Sequence, residues 1–342
     1  RVFTTDANIK VFTGTYNVNA LEPLANIDLT SWLFPPENES MPDIYAIGFQ
    51  ELIELNAGSF LAGDVTKPQK WAAVLNQQLN SQREQYVLLR TESIASMSLF
   101  LFVKSSSIQH VTRVSGSSKK TGLGGIAANK GACAVRFEYG ATSFALITSH
   151  LAAGTTAIAE RFNDYTTIMQ GMVFTRNYSI HDHDHVIWFG DLNYRIDLPN
   201  GQCRNLIENG AFDELAKKDQ LKLEMRDKGA FLEFNEGAVK FYPTYKFDKG
   251  TSNYDSSEKQ RVPSWTDRVL YLSLKKKRND LKQLNYNSVM DVYLSDHKPV
   301  YSTFAVKVEF IDKTKKSAMA KDLYDGYRNC LLYTSDAADD MQ

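Results

Sequence analysis

ACAVRFEYGATSFALITSHL, residues 132–151, holds two runs rich in apolar and β-branched residues, 132–138 and 143–151. Only the tight EYGAT segment separates them. A connection that short cannot carry a helical crossover, so the runs pair as an antiparallel hairpin. Working outward, similar runs occur at Lys10–Asn17, Asp43–Gln50, Ser98–Lys104, His185–Asp191, Arg268–Leu274 and Tyr301–Ile311. Each is bounded by Gly, Asn, Asp or Ser and reads as a strand. Helical periodicity falls between some of them. Over 68–82 it aligns Trp71, Val74, Leu75 and Leu79, and over 155–178 it aligns Ile158, Phe162, Tyr165, Ile168 and Met172. Residues 203–227 read as short helices broken at Gly210. The pattern predicts an α/β fold with two packed, mostly antiparallel or mixed sheets between outer helices. A dinucleotide-binding fold is disfavoured, because GLGG at 122–125 lacks an acidic residue at the required distance.

The 342 residues carry 39 Lys+Arg against 40 Asp+Glu, a balance that argues against a strongly basic nucleic-acid coater. Three cysteines, Cys133, Cys203 and Cys330, form no disulfide framework and lack zinc-ligand spacing. A reducing, cytoplasmic setting is expected. No apolar run approaches a membrane span. The chain starts at Arg1 without Met or a signal-like block and reads as part of a longer protein. One domain is expected over 1–328, monomeric, with 329–342 a flexible or extraneous tail.

The chemistry sits where strands end. Asn17 closes one run, Gln50 and Glu51 another, His150 a third, and Asp191 with Asn193 a fourth; Asp267, Asp296 and His297 adjoin the last runs. Singly, such residues are turn formers and caps. Gathered at one edge of packed sheets, they would make a divalent-metal and phosphate site. Mg²⁺ takes oxygen ligands and only one or two carboxylates, so Glu51 and the Asn17 amide oxygen are its candidates, in one site. Asp191 can prepare a water, and Asn193 can hold that water or a phosphate oxygen. His297 needs a partner to fix its tautomer, for which Asp267 is suited. The Cys-x5-Arg loop of cysteine phosphatases is absent.

In order, TYNVNA, FQEL, SHLAAG, WFGDLNYRI, PSWTDRVLY and SDHKPV resemble the inositol polyphosphate 5-phosphatases, the synaptojanin branch in particular. The resemblance spans about Lys10 to Phe310. Thr266 stands where many members of the family have Cys, a departure shared with synaptojanin-type sequences. The resemblance implies a DNase I-like four-layer sandwich and Mg²⁺-dependent removal of the 5-phosphate from phosphatidylinositol 4,5-bisphosphate or related inositol phosphates. It adds Asp296 as a second carboxylate near metal or water, and His150 as a phosphate ligand. A nuclease of the same fold and a non-catalytic phosphoinositide-binding module stay open as alternatives; no nucleic-acid partner is expected.

A polyphosphorylated ring calls for spaced cations. Candidates are Lys130, Arg161 with Asn163, Lys246, Lys259 and Arg261. A lipid substrate further requires peripheral contact with a membrane surface. Phe60 and Leu61 in one Gly-containing loop, and Leu123 and Ile126 beside Lys119 and Lys120, are candidate contacts. Residues 115–129 read as a long mobile loop, HDHDH at 181–185 as a surface turn, and LKKKRND at 274–280 as a hairpin tip.

Overall fold

A computed structural model describes residues 3–23, 26–54, 66–227 and 229–339, with side chains to 328. Its strands are β1 (Thr4–Asn17), β2 (Ile44–Gln50), β3 (Tyr86–Ile94), β4 (Met97–Lys104), β5 (Val111–Thr121), β6 (Ala127–Tyr139), β7 (Thr142–His150), β8 (His185–Asp191), β9 (Asp267–Ser273), β10 (Leu281–Ser288) and β11 (Val300–Ile311). They form a six-stranded sheet, β10-β11-β1-β2-β4-β3, and a five-stranded sheet, β5-β6-β7-β8-β9. Each sheet is mixed. β1 runs parallel to β2 and β7 parallel to β8, and the other pairings are antiparallel.

Alternating side chains divide the core into three layers. Between the sheets lie Val11, Ile44, Ala46, Leu99, Val135, Phe137, Leu146, Ile187 and Phe189. Phe12, Tyr45, Ile47 and Phe49 point the other way and meet Trp71, Val74, Leu75 and Leu79 of helix Thr66–Leu79. Ala132, Ala134, Ile147 and Trp188 cover the opposite face beneath helix Ile158–Gly171. Both faces of β2 are therefore buried, which is why its sequence is continuously apolar. Gly48 lets the sheets close on each other, since a Cβ there would strike the side chain of Thr148.

Three strands, β3, β5 and β10, are absent from the sequence reading. All three are sheet edges. These three are largely half-exposed along their length and carry polar residues outward, so unlike the fourth edge, β9, they show no apolar run. The expected mobile loop at 115–129 is thereby corrected. Ser115 to Lys120 pair with Arg136 to Gly131, and only 122–126 connects β5 to β6. The HDHDH expectation is also corrected, because His183 and His185 are buried. The basic run 274–280 is no hairpin tip: it carries the chain from β9 in one sheet to β10 in the other. The C-terminal helix spans Lys313–Asp339 and so runs past Arg328 into the expected tail.

Candidate active site

Strand direction gathers the polar strand ends. β1 and β2 end together, with Asn17 opposite Gln50. In the other sheet His150 pairs with Asp191, and Asp191 with Asp267, a row across β7, β8 and β9. β11 runs antiparallel to β1, so Asp296 and His297, just before it, arrive at the same edge. Gln50 bridges the sheets: it accepts from Thr15 Oγ1 at 3.2 Å and donates to Thr148 Oγ1 at 3.1 Å. The chain turns sharply beyond these ends. Asn19, Glu51 and Asn193 all have left-handed backbones, at φ 46°, 53° and 60°. Such conformations cost roughly 1–3 kcal/mol each and persist where the surroundings hold them.

Asp191 is the hub. It is buried, accepts from Asn17 Nδ2 at 2.9 Å, and lies 3.2 Å from His150 Nε2 and 3.8 Å from His297 Nε2. Burial opposes its charge, but His150, then His297 and Lys130, outweigh burial and hold the carboxyl well below the usual carboxylate range. His297 Nδ1 donates to Asp267 Oδ2 at 2.9 Å. The same oxygen accepts from Thr244 Oγ1 at 2.6 Å and Thr266 Oγ1 at 2.9 Å, so the hydroxyl of Thr266 acts as a donor here. Burial works against charge on His297, yet Asp267, with Asp191 and Asp296, raises the imidazole well above its ordinary value. That geometry leaves Nε2 facing Asp191.

The Glu51 side chain is 36% exposed and lies 3.8 Å from His150 Nε2. One ligand atom each from Glu51, His150 and Asp191 falls within a 4.8 Å cluster. An accessible carboxylate beside a buried one suits a hard divalent cation that keeps most of its waters. The Asn17 amide directs its nitrogen to Asp191, and its oxygen accepts the Asn19 N–H at 3.0 Å, with one lone pair left over. Asn193 donates to Leu151 O at 2.9 Å and accepts from Arg195 Nη2 at 3.0 Å. One amide hydrogen of Asn193 thus stays free for a water or phosphate.

Around this centre, Lys130 Nζ approaches His150 Nε2 at 2.6 Å. Burial pulls its ammonium below the ordinary value, and Asp191 and Glu51 offset only part of that. Asn163 lines a cleft of about 520 Å³ together with Lys130 and Asp164. Lys246 reaches Asp296 at 3.8 Å. Lys259 is exposed and Arg261 half-buried on the following loop; the Asp255 carboxylate accepts the Arg261 N–H at 2.9 Å, and the Asp255 N–H donates to Lys246 O at 2.9 Å. Arg161 is a correction. It is fully buried and donates to Ala152 O, Gly154 O and Gln220 Oε1 at 3.1, 2.8 and 2.7 Å, so its guanidinium braces the loop after β7 and does not face the cleft.

Other residues of the site were not legible singly. Asn19 Nδ2 donates to Asp296 Oδ1 at 2.7 Å. Arg195 locks Asn193 and stacks its guanidinium 4.8 Å from the Tyr245 ring, which in turn lies 4.6 Å from the His297 ring. Asn19 and Arg195 stand inside TYNVNA and WFGDLNYRI, two residues beyond Asn17 and Asn193, and that spacing is the one signal that could have found them.

The family described as Endonuclease/Exonuclease/phosphatase family 2 matches residues 14–303. Polyphosphatidylinositol phosphatase INP53 of Saccharomyces cerevisiae is 44% identical over 329 residues, 95% of this chain and 29% of that protein. Human synaptojanin-2 is 34% identical over 348 residues, 91% of this chain and 23% of that protein. The chain therefore spans less than a third of the length of these curated relatives. A crystal structure of the inositol polyphosphate 5-phosphatase domain of SPsynaptojanin, in complex with inositol (1,4)-bisphosphate and calcium ion, superposes with a TM-score of 0.86 at 39% identity, covering 97% of this chain and 94% of that one. The fold is accordingly DNase I-like. The chain belongs to the Endonuclease/Exonuclease/phosphatase family 2 and groups within it with the synaptojanin-type inositol polyphosphate 5-phosphatase domains.

Proposed function

We propose that this chain is a Mg²⁺-dependent phosphomonoesterase that removes the 5-phosphate from phosphatidylinositol 4,5-bisphosphate and related inositol phosphates by direct attack of water. The supporting observation is the convergence of Glu51, His150, Asp191, Asp267 and His297 from five chain segments on one buried, hydrogen-bonded centre. Glu51 and the Asn17 amide oxygen would hold the cation, which when bound supplies positive charge against the phosphate oxygens. Asp191, ionised, accepts a hydrogen bond from the attacking water and aims it at phosphorus, and Asn193 holds the same water or a phosphate oxygen. His297, kept protonated by Asp267, and Lys130 with His150 balance the charge that grows on the phosphoryl oxygens. Asp296 steadies Asn19 and Lys246 at the rim, and Lys246, Lys259 and Arg261 meet the phosphates that stay on the ring. The P–O ester bond breaks, leaving the ring hydroxyl and inorganic phosphate. Product analysis with phosphatidylinositol 4,5-bisphosphate should give the 4-phosphate lipid alone, with release stopped by chelator and restored by Mg²⁺. Loss of the 4-phosphate, indifference to chelator, or plasmid nicking in place of phosphate release would each overturn this reading.

The substrate class brings the domain to a lipid surface, and the 122–126 connection suits that contact. Leu123 is 77% and Ile126 84% exposed, flanked by Lys119 and Lys120. Apolar tips beside basic residues favour an anionic interface. Phe60 and Leu61 lie outside the described residues. No described helix is long and apolar enough to cross a membrane. Leu123→Ser with Ile126→Ser should slow hydrolysis on vesicles about tenfold and leave a soluble inositol phosphate unaffected, roughly the loss expected for two partly inserted side chains. Equal losses on the two substrates would remove the membrane role.

A further inference from the structure

A second cluster of cations lies on the outer side of the β5-β6 edge, away from the catalytic centre. Arg113, Val114 and Ser115 of β5, Arg136 of β6, and Thr175, Arg176 and Tyr178 of the segment between helix Ile158–Gly171 and β8 line a pocket of about 160 Å³. Arg136 is buried and stacks 4.7 Å over the Tyr178 ring. It donates to His183 Nε2 at 3.0 Å, Arg113 O at 3.2 Å and Glu138 Oε1 at 3.0 Å. A guanidinium has five N–H groups, so two of its hydrogens stay uncommitted. Because His183 accepts at Nε2, its Nδ1 carries the proton and faces Ile180 O at 3.2 Å. Burial, then the Arg136 charge, keeps that ring neutral. His183 thus anchors Arg136 and brings no anion of its own.

Three arginines line the pocket, and the one carboxylate that pairs with any of them, Glu138, takes Arg136 Nη2 at 3.0 Å and Arg113 Nη1 at 3.2 Å. Ser115 lines the pocket, and its hydroxyl oxygen, itself covered, has no hydrogen-bond partner. Such an orphan needs an explanation, and an anion accepting its proton supplies one. Arg113 and Arg176 both adopt left-handed backbones, at φ 55° and 65°. Arg113 sits at the bulge between Thr112 and Ser115, where β5 breaks register with β6. Non-glycine residues held this way concentrate at ligand clamps.

We propose that Arg113, Arg136, Arg176 and Ser115 form a second anion site for a phosphate group, whether free or on a lipid head group. The planar forks of arginine suit a tetrahedral oxyanion, and the volume admits one phosphate. Along β6 the site stands about 20 Å from Lys130, six residues at about 3.3 Å each, so it is not part of the catalytic pocket.

Titration of the full chain carrying Asp191→Asn with inorganic phosphate, followed by amide NMR, tests this. Amides of 112–117 and 174–178 should shift together and saturate. Arg113→Ser with Arg176→Ser should weaken that binding roughly tenfold or more for each guanidinium removed, and Ser115→Ala by a few fold. Both arginines reach solvent, so the fold should survive; Arg136 is left in place because it is buried. Vesicles of phosphatidylcholine with and without phosphatidic acid separate the sources. Sedimentation gained with phosphatidic acid and lost in the double variant assigns a lipid phosphate, and unchanged sedimentation assigns a free one. Absence of shifts in the two segments, or shifts that persist in the double variant, overturns the site.

Discussion

Asp191→Ala should lower the kcat for phosphate release by about 10³-fold, within the range ascribed to a positioned base. The reason is geometric. Asp191 is where the Asn17 amide, His150 and His297 meet, at 2.9, 3.2 and 3.8 Å. A carboxylate held well below its usual range stays ionised throughout the working pH, so its hydrogen bond to water is always available. The sign for stability follows. A depressed carboxyl contributes stability that is present above its unfolded value, about 3.9, and is lost as pH falls toward its folded value. Alanine removes the buried carboxylate that Asn17, His150 and His297 surround, which costs stability as well as turnover. Asp191→Asn keeps the shape, removes the charge and separates the two effects. Its thermal midpoint should lie nearer the unmodified protein while its kcat stays low. Activity within tenfold of the unmodified protein in both variants would remove Asp191 from the reaction.

The second large effect concerns a residue that does not touch substrate. Asp267→Asn should lower kcat about 10²- to 10³-fold at neutral pH, with a much smaller change in KM. Asp267 is a positioning residue: it fixes the His297 ring through Nδ1 and outweighs burial to hold it charged. Without that carboxylate, burial dominates and the imidazole loses its proton at lower pH. The alkaline limb of the pH–rate profile should therefore move to lower pH. Stability shifts in the same sense. His297 has a raised folded value, so its contribution is complete below the unfolded value of about 6.5 and disappears as pH rises through the folded one. An unmoved alkaline limb, with kcat and KM reduced together, would indicate that Asp267 only braces Thr244 and Thr266.

Much of the fold is legible because buried strands need apolar residues on every face that meets another layer. β2, β4, β7 and β8 carry that signature along their whole length. β3, β5 and β10 do not: each is held by backbone bonds to one neighbour and is half-exposed with mixed polarity, whereas the edge strand β9 keeps an apolar run. Helix Ile158–Gly171 is shorter than its periodicity predicts, and Phe162 faces outward at 40% exposure. The stripe identified the buried residues Ile168 and Met172 but not its own ends.

The catalytic candidates were visible as polar residues placed where a buried strand stops needing apolar ones. Their chemistry follows from residue type alone: carboxylates for a cation, a carboxylate–imidazole pair, amides for orientation. Their partnership is a tertiary matter. Asn17 and Asp191 are 174 positions apart and on different sheets, and only the packing of those sheets face to face brings the ends of β1 and β8 together. The same limit explains Arg161, which shares a surface-like segment with Asn163 yet is consumed by carbonyls of a loop that folds over it. Residue identity determines which groups can ionise, coordinate or donate. Packing decides which are desolvated and which faces water, and desolvation together with proximity turns Asp191 and His297 from an ordinary acid and an ordinary imidazole into a persistent anion and a persistent cation side by side.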